Sequence, residues 1–180
     1  MSRRRAGSRV LSAVQLAEFC DVDLKTIHNW CARGKIAHTR TAGRHLRFRR
    51  LDVVDFMRAY ELTLPEALRQ GRPRVALVER DAHALEALQR GLSRSFEVVV
   101  CDDAVGALLG LKAADPDVVV LGDVSPLDAA AVAARIRGAE GTRHVRVVTL
   151  GAAAAGAAAS VPRGDVAALR DALAELTGLQ

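Results

Sequence analysis

The sequence predicts two domains of different class: a small, mostly α-helical domain with a β-hairpin, and an α/β domain with a parallel five-stranded sheet. Residues 1–72 carry a net charge of +8 and residues 73–180 one of −3, which together give the +5 of the chain. The hydrophobic pattern changes at the same place, from short helical stripes to β-branched runs that alternate with helical segments. This asymmetry indicates two modules, of which the first is electropositive.

The first half begins with two short helices. Ser12 precedes a stripe of apolar residues over 13–20 and is suited to cap that helix. Asp23 is suited to cap a second helix over 24–33, which Gly34 ends. Two short helices joined by a tight turn form a helix-turn-helix unit.

A β-hairpin and a third helix follow. Residues 35–48 contain Gly43 near the centre, where a hairpin turn is expected. On the returning strand Leu46 and Phe48 alternate with basic residues, which predicts one apolar and one basic face. The pattern of residues 51–60 predicts the third helix.

The second half has the pattern of a parallel sheet covered by helices on both faces. Its apolar runs are rich in valine, as parallel strands buried on both faces are. Strands are predicted over residues 75–78, 96–100, 118–121 and 145–148, with a fifth that ends at 161–164. Helices are predicted over residues 82–94, 104–113, 127–138 and 166–177.

These patterns divide the chain into four segments. They are a basic, disordered arm over residues 1–9, a winged helix-turn-helix domain over 10–62, a linker over 63–72 and an α/β domain over 73–180. In the last helix Val166, Leu169, Leu173 and Leu176 are expected to face inward, whereas its alanines leave room for a partner.

Composition narrows the functional classes. No apolar run reaches the roughly 18 residues that a membrane span needs, and the apolar stretch after the basic N-terminus is broken at Gln15 and Glu18. We therefore expect a cytoplasmic protein without an export signal. Its three cysteines match neither a disulfide framework nor a common zinc spacing. Cys20 and Cys31 are interpreted as small core residues, and no metal, cofactor or enzymatic activity is predicted.

The second helix and the hairpin carry the candidate DNA-binding residues. A helix in the major groove needs polar or basic side chains on one face, and a basic wing can hold phosphates or enter the minor groove. The predicted set is Lys25, Thr26, His28, Asn29, Arg33, Arg40, Thr41, Arg44, His45 and Arg47. By spacing, Leu24, Ile27 and Trp30 are expected to pack on the first helix.

Residues 10–60 resemble the winged helix-turn-helix of MerR-like and excisionase-like DNA-binding domains. The resemblance rests on residues 11–30, 34–36, 41–48 and 51–56, of which the wing segment 41–48 is the most specific. It implies a recognition helix over 24–33 and a wing over 35–48. It does not imply metal sensing, because the long dimerisation helix and its cysteines are absent.

Residues 73–177 resemble a response-regulator receiver, through segments 74–81, 115–126, 145–149 and 161–164. A receiver needs an acceptor carboxylate, two acidic residues for a divalent cation, a Thr and a Lys. The resemblance places Gly122 at the acceptor, Glu79 and Arg80 at the acidic pair, Thr149 at the Thr and Arg163 at the Lys. Because only Thr149 matches, we interpret the domain as a pseudo-receiver. The alternative is a one-residue bulge that brings Asp123 into the acceptor place.

The connection between the fourth and fifth strands is short. Thr149 and Arg163 are 14 positions apart, whereas a helix of about 11 residues with its loops and strand would need about 20. The fourth helix is therefore expected to be shortened to one or two turns, or lost.

Together these features predict a non-enzymatic transcriptional regulator that binds double-stranded DNA in the cytoplasm, at the nucleoid. The pseudo-receiver is expected to form a homodimer through residues 73–180 or to bind a protein partner. Two alternatives stay open. The chain is an architectural or recombination factor of the excisionase kind, or it is an adaptor that docks on a partner while its basic domain anchors it to the chromosome.

Overall fold

A computed structural model describes residues 9–69, 71–101 and 103–179. These described residues divide into two compact units, one holding those up to Gly71 together with 177–179, and the other those within Arg72–Leu176. Most of the predicted basic arm, residues 1–8, lies outside the described residues. Arg9 belongs to the first unit's fold, because its carbonyl oxygen accepts a hydrogen bond from the backbone N–H of Arg50 at 2.9 Å.

The first unit combines helices with a small antiparallel sheet. Its elements are β1 (Val10–Ser12), α1 (Ala13–Cys20), α2 (Leu24–Ala32), β2 (Thr39–Arg40), β3 (Leu46–Arg49), α3 (Arg50–Ala59) and α4 (Glu66–Arg69). The strand order is β1-β3-β2, and Leu11 pairs with Phe48 while Arg40 pairs with Leu46. Strand β1 was not predicted from the sequence; at three residues it owes its conformation to its pairing with β3 rather than to its own pattern.

Local capping sets the ends of the first two helices, as predicted. The Ser12 hydroxyl accepts from the backbone N–H of Gln15 at 3.2 Å, while the Gln15 side chain accepts from Ser12 N–H at 2.9 Å, a reciprocal capping box. The Asp23 carboxylate accepts from Thr26 N–H at 2.6 Å. After α2, Gly34 has a φ of +66° and donates to the Cys31 carbonyl. A left-handed residue at this place ends a helix and favours glycine.

The core of the first unit lies between the helices and one face of the sheet. Leu46 and Phe48 of β3 are buried, as their alternation predicts, and they share a cluster with Leu16 and Ile27. Cys20 and Cys31 also contact this cluster, in agreement with the prediction that they are core residues. Burial raises the pKa of both thiols, and a weaker opposing effect of Arg40 acts at Cys31.

The segment predicted as a linker, residues 63–72, contains α4. Leu68 of α4 is buried, and its carbonyl oxygen accepts hydrogen bonds from Nε and Nη2 of Arg50, a residue that is itself 5% exposed. A charged guanidinium that donates to a buried carbonyl satisfies both groups in the interior. This part of the chain is therefore packed on α3.

The second unit is a parallel sheet in which helices join the first four strands in chain order and a last helix follows the fifth strand. Its elements are β4 (Arg74–Val78), α5 (Ala82–Leu92), β5 (Glu97–Cys101), α6 (Ala104–Ala114), β6 (Val118–Leu121), α7 (Ala129–Gly138), β7 (Arg146–Leu150), β8 (Ala159–Val161) and α8 (Val166–Thr177). The strand order β5-β4-β6-β7-β8 is that of the flavodoxin-like doubly wound fold. Val75–Val78 and Val118–Leu121 are almost fully buried, as expected for central strands covered on both faces.

No helix joins β7 to β8. The eight residues between Leu150 and Ala159 form turns, with positive φ at Gly151 and Gly156. Ala158 N–H donates to the Val147 carbonyl at 2.7 Å and holds this connection at the edge of β7. The prediction that the fourth helix is shortened or lost is confirmed in its stronger form. Among the described residues, no helix combines the length and the apolar character that a membrane crossing requires.

Candidate nucleic-acid interface and carboxyl-end pocket

The predicted DNA-binding residues lie on exposed parts of α2 and the hairpin. Eight are exposed, and two, Thr26 and Arg47, are half-buried. Helix α2 presents Lys25, His28 and Asn29 to solvent while Ile27 is fully buried on its opposite side. The charged and polar side chains of α2 are therefore available to a ligand, and the helix is anchored by its apolar face.

Two of the apolar positions on α2 differ from the prediction. Trp30 packs on Phe56 of α3, with ring centroids 4.9 Å apart, in addition to its place in the shared core. Leu24 is not buried against the first helix but is 42% exposed. Leu24 is the first residue of α2, so no earlier turn of the helix covers its side chain. The spacing alone therefore does not ensure its burial.

The hairpin turn has its left-handed residue at a place that the sequence did not indicate. Thr41 N–H donates to the His45 carbonyl at 3.0 Å, and Arg44 N–H donates to the Thr41 carbonyl at 2.8 Å. The positive φ, +60°, is that of Arg44, whereas Gly43 has a negative φ. Three-residue hairpin loops place a left-handed residue last, so the turn lies where predicted but Gly43 is not its left-handed residue.

Electrostatics and capping hold the start of the candidate recognition helix. The backbone N–H and the hydroxyl of Thr26 hold the pKa of the Asp23 carboxyl below its usual range. The half-buried Arg47 donates from Nη1 to the Leu46 carbonyl at 3.0 Å, and Arg40 donates to the Arg44 carbonyl at 3.2 Å. These bonds orient two of the wing's guanidinium groups along the hairpin.

The second candidate site lies at the carboxyl ends of β4 and β6. Gly122 follows β6, and its N–H donates to the Val78 carbonyl at 2.8 Å. The buried Glu79 lies beside it: Oε1 accepts from Asp81 N–H at 3.0 Å and Oε2 accepts from Asp123 N–H at 3.1 Å. A Cβ atom built on Gly122 would lie 2.9 Å from Cδ of Glu79. The Glu79 carboxylate thus occupies the space that a side chain at position 122 would need.

Asp123 and Arg80 meet at Ser125, a residue that the sequence analysis did not single out. Oδ1 of Asp123 accepts from Ser125 N–H at 3.0 Å and from its hydroxyl at 2.7 Å. Arg80 donates from Nη1 to the Ser125 carbonyl at 3.0 Å and to its hydroxyl oxygen at 3.2 Å. An aspartate two residues before a serine is a common signal for such a turn.

The charges around Asp123 favour its ionised form. The bonds from Ser125 hold the pKa of the Asp123 carboxyl below its usual range, and the positive charges of Arg80 and then Arg163 act in the same direction. The buried Thr149 has its hydroxyl 2.8 Å from Ser160 Oγ and donates to the Ala152 carbonyl at 3.1 Å. Both partners lie in or beside the connection that replaces the fourth helix.

Within the described part of the chain, no group of three or more His, Cys, Asp or Glu side chains is arranged to hold a metal ion. Of the six pocket residues predicted from the sequence, Glu79, Gly122 and Asp123 are joined by the contacts above. Arg80 and Arg163 act on Asp123 electrostatically. The Thr149 hydroxyl instead bonds to the Ala152 carbonyl and to the Ser160 hydroxyl.

Comparison with known proteins supports the same two parts. Residues 10–60 match the family described as a helix-turn-helix domain. No curated protein matches this chain. The sequence of the first part and the fold of the second together define a helix-turn-helix domain followed by a receiver-like α/β domain.

Solved structures similar to this chain are receiver domains. The signal receiver domain named as that of the response regulator NarL from Mycobacterium tuberculosis is 25% identical, with a TM-score of 0.52, and the match covers 61% of this chain and 98% of that one. The receiver domain of a sensor histidine kinase from Pseudomonas aeruginosa PAO1, with magnesium in its active-site cleft, is 22% identical over 60% and 99%, with a TM-score of 0.52.

A third similar structure is the signal receiver domain of a DNA-binding response regulator protein (merR) from Colwellia psychrerythraea 34H. It is 18% identical, with a TM-score of 0.52, over 58% of this chain and 98% of that one. At these identities the similarity establishes the fold of the second unit. Any activity has to be argued from the residues of the site itself.

Proposed function

We propose that this chain is a transcriptional regulator that binds DNA through α2 and the hairpin wing. The observation that carries the proposal is the set of exposed basic and polar side chains on these two elements, in a segment that matches a helix-turn-helix family. A helix of this kind enters the major groove, and the flanking basic side chains contact phosphates. If the ligand is chromosomal DNA, the protein is cytoplasmic and associated with the nucleoid.

The receiver-like domain acts in this proposal without phosphorylation. A phosphoryl acceptor needs a carboxylate at the carboxyl end of β6, and position 122 is a glycine whose side-chain space Glu79 fills. One of the two acidic positions for a divalent cation is the cationic Arg80, which is bonded to Ser125. A guanidinium in this place opposes the binding of Mg²⁺ by charge repulsion. These two features support a pseudo-receiver.

The proposed role of the pseudo-receiver is to bind a partner, in the first place a second copy of the chain. On α8, Ala167 is exposed, so another helix can approach it closely. Helix α6 is apolar around much of its circumference, and Val105 and Leu109 are 56% and 80% exposed. A pair of winged domains would bind two half-sites and gain the specificity that one small domain lacks.

Genome-wide mapping of the bound DNA, with a binding titration of the full chain on the recovered sites, tests the proposed function. Protection confined to promoter regions, with tighter binding to those sites than to random duplex, is the expected result. Sites confined to phage or repeat arrays would instead indicate an architectural or recombination factor. Binding of all duplexes with equal affinity would contradict the regulator and favour the chromosome-anchored adaptor.

A further inference from the structure

A concave surface of about 310 Å³ lies where the start of α1, the start of α2 and the wing meet. Four of the side chains that line it are basic or imidazole groups: His28, Arg44, His45 and Arg47. Three others are large and apolar: Leu46 is buried, whereas Val14 and Leu24 are 56% and 42% exposed. The surface therefore combines cationic side chains with exposed apolar ones.

The apolar side chains are the unexplained part of this surface. Val14 and Leu24 are not needed to complete the buried cluster of the first unit, which Leu16 and Ile27 join from the same two helices. These cationic side chains favour a polyanion as the occupant, because Arg44 and Arg47 line the surface and none of the nine lining residues is acidic. Burial of the exposed apolar side chains beside these cations is favourable only if the polyanion also offers an apolar group.

Duplex DNA offers one such group in its major groove, the C5-methyl group of thymine. The residues at the N-terminal end of a recognition helix are those that reach the base edges, and Leu24 is the first residue of α2. It lies one position before Lys25 and four before His28, so it shares the exposed side of the helix with His28.

We propose that Leu24, with Val14 beside it on the same concave surface, forms a contact site for a thymine methyl group and makes the protein selective for thymine at one position of each half-site. The inference rests on the proposed DNA binding and adds to it a residue that reads the base. Thymine is thereby distinguished from uracil and cytosine, which carry hydrogen at C5.

Replacing thymine by deoxyuridine in the bound duplex removes this methyl group and leaves the Watson–Crick pairing and the phosphates unchanged. A duplex selected from a random pool by the full chain is resynthesised with uracil at one thymine at a time. Uracil at the contacted position is expected to weaken binding about fourfold, the factor that burial of one methyl-sized group gives. Uracil elsewhere in the duplex is expected to have little effect.

The variant Leu24→Ala connects the effect to the residue. It is expected to bind the thymine duplex about as weakly as the parent chain binds the uracil duplex, and to be insensitive to uracil at that position. Val14→Ala is expected to show a smaller loss of the same kind. Leu127→Ala, which shortens an exposed leucine of the other unit away from the proposed partner surface, is the matched control and is expected to keep the full sensitivity to uracil.

The outcomes separate this inference from the function on which it rests. If the full chain binds no duplex above the level of a neutral protein, the proposed function fails and the thymine contact fails with it. If it selects and binds a duplex but no uracil substitution weakens binding, DNA recognition stands and the methyl contact is overturned. Equal uracil sensitivity in the parent chain and in Leu24→Ala would also overturn it.

Discussion

The buried carboxylate of Glu79 lies directly against Gly122, in the space where a Cβ atom on that residue would come within 2.9 Å of Glu79 Cδ. The two residues follow neighbouring parallel strands, β4 and β6, whose last residues Val78 and Leu121 are paired. Each carboxylate oxygen of Glu79 accepts one backbone N–H, from Asp81 and from Asp123. Glu79 thus leaves no room for a side chain at position 122. Its carboxylate also holds the loop after β6, through the backbone N–H of Asp123.

Gly122→Ala is expected to lower the free energy of unfolding by about 1–3 kcal/mol, because the new methyl group collides with a carboxylate that is held at both oxygens. Denaturant unfolding of the full chain measures this. Gly110→Ala is the matched control: its Cβ would meet nothing within 4 Å, and alanine in a helix is more stable than glycine by up to about 1 kcal/mol. Equal effects of the two substitutions would contradict the steric role of Glu79.

Small phosphodonors with magnesium are expected to leave the protein unmodified, since position 122 offers no nucleophile and Arg80 stands where a cation ligand would be needed. Intact mass after incubation measures the result, with an active receiver domain treated in parallel as a control. A stable gain of one phosphoryl group that Asp123→Asn abolishes would contradict the pseudo-receiver proposal. It would show that the half-buried Asp123 serves as the acceptor.

Asn29→Ala and Lys25→Ala are each expected to weaken binding to the preferred duplex by about 1–3 kcal/mol, because their side chains lie on the exposed face of α2 that would reach base edges. Fluorescence anisotropy titrations with preferred and random duplexes measure the loss and its specificity. Lys112→Ala, which removes an exposed charge from the other unit, is the control. Affinities equal to that of the control would show that α2 is not the reading element.

Arg44→Gly separates the charge of the wing from its shape. Arg44 has a φ of +60°, a conformation that glycine adopts more easily, so this substitution is compatible with the turn and removes the whole charged side chain. It is expected to weaken binding to all duplexes similarly and to reduce the slope of log affinity against log salt by about 1. An unchanged slope would mean that Arg44 contacts no phosphate.

The full chain is expected to be a two-fold dimer at tens of micromolar, with a light-scattering mass twice that of one chain. Ala167→Arg on the exposed side of α8 is expected to give monomers, because a long charged side chain blocks close approach of a partner helix. Ala134→Arg on α7 introduces the same charge at an exposed alanine outside the proposed partner surface and serves as the control. A monomeric parent chain would instead favour a different protein as the partner of the pseudo-receiver.

Features that depend on neighbours in the chain were predictable from the sequence. Ser12, Asp23 and Gly34 set helix ends through bonds to residues within a few positions, so their types and spacing suffice. The loss of the fourth helix followed from counting the residues between β7 and β8. The strands of the second unit were recognisable because a strand buried on both faces must be apolar throughout.

The tertiary structure alone decided the features that depend on distant residues. Strand β1 exists because β3 pairs with it. Leu24 stays exposed because neither α1 nor the wing covers its side chain in the folded unit. The resemblance to receivers places Gly122 at the acceptor position, but only the folded sheet brings Glu79, 43 positions earlier, into its side-chain space. Local sequence patterns determine hydrogen bonds between residues that are close in the chain. The side chain that fills a given space in the core is decided only when strands from distant parts of the chain pack together.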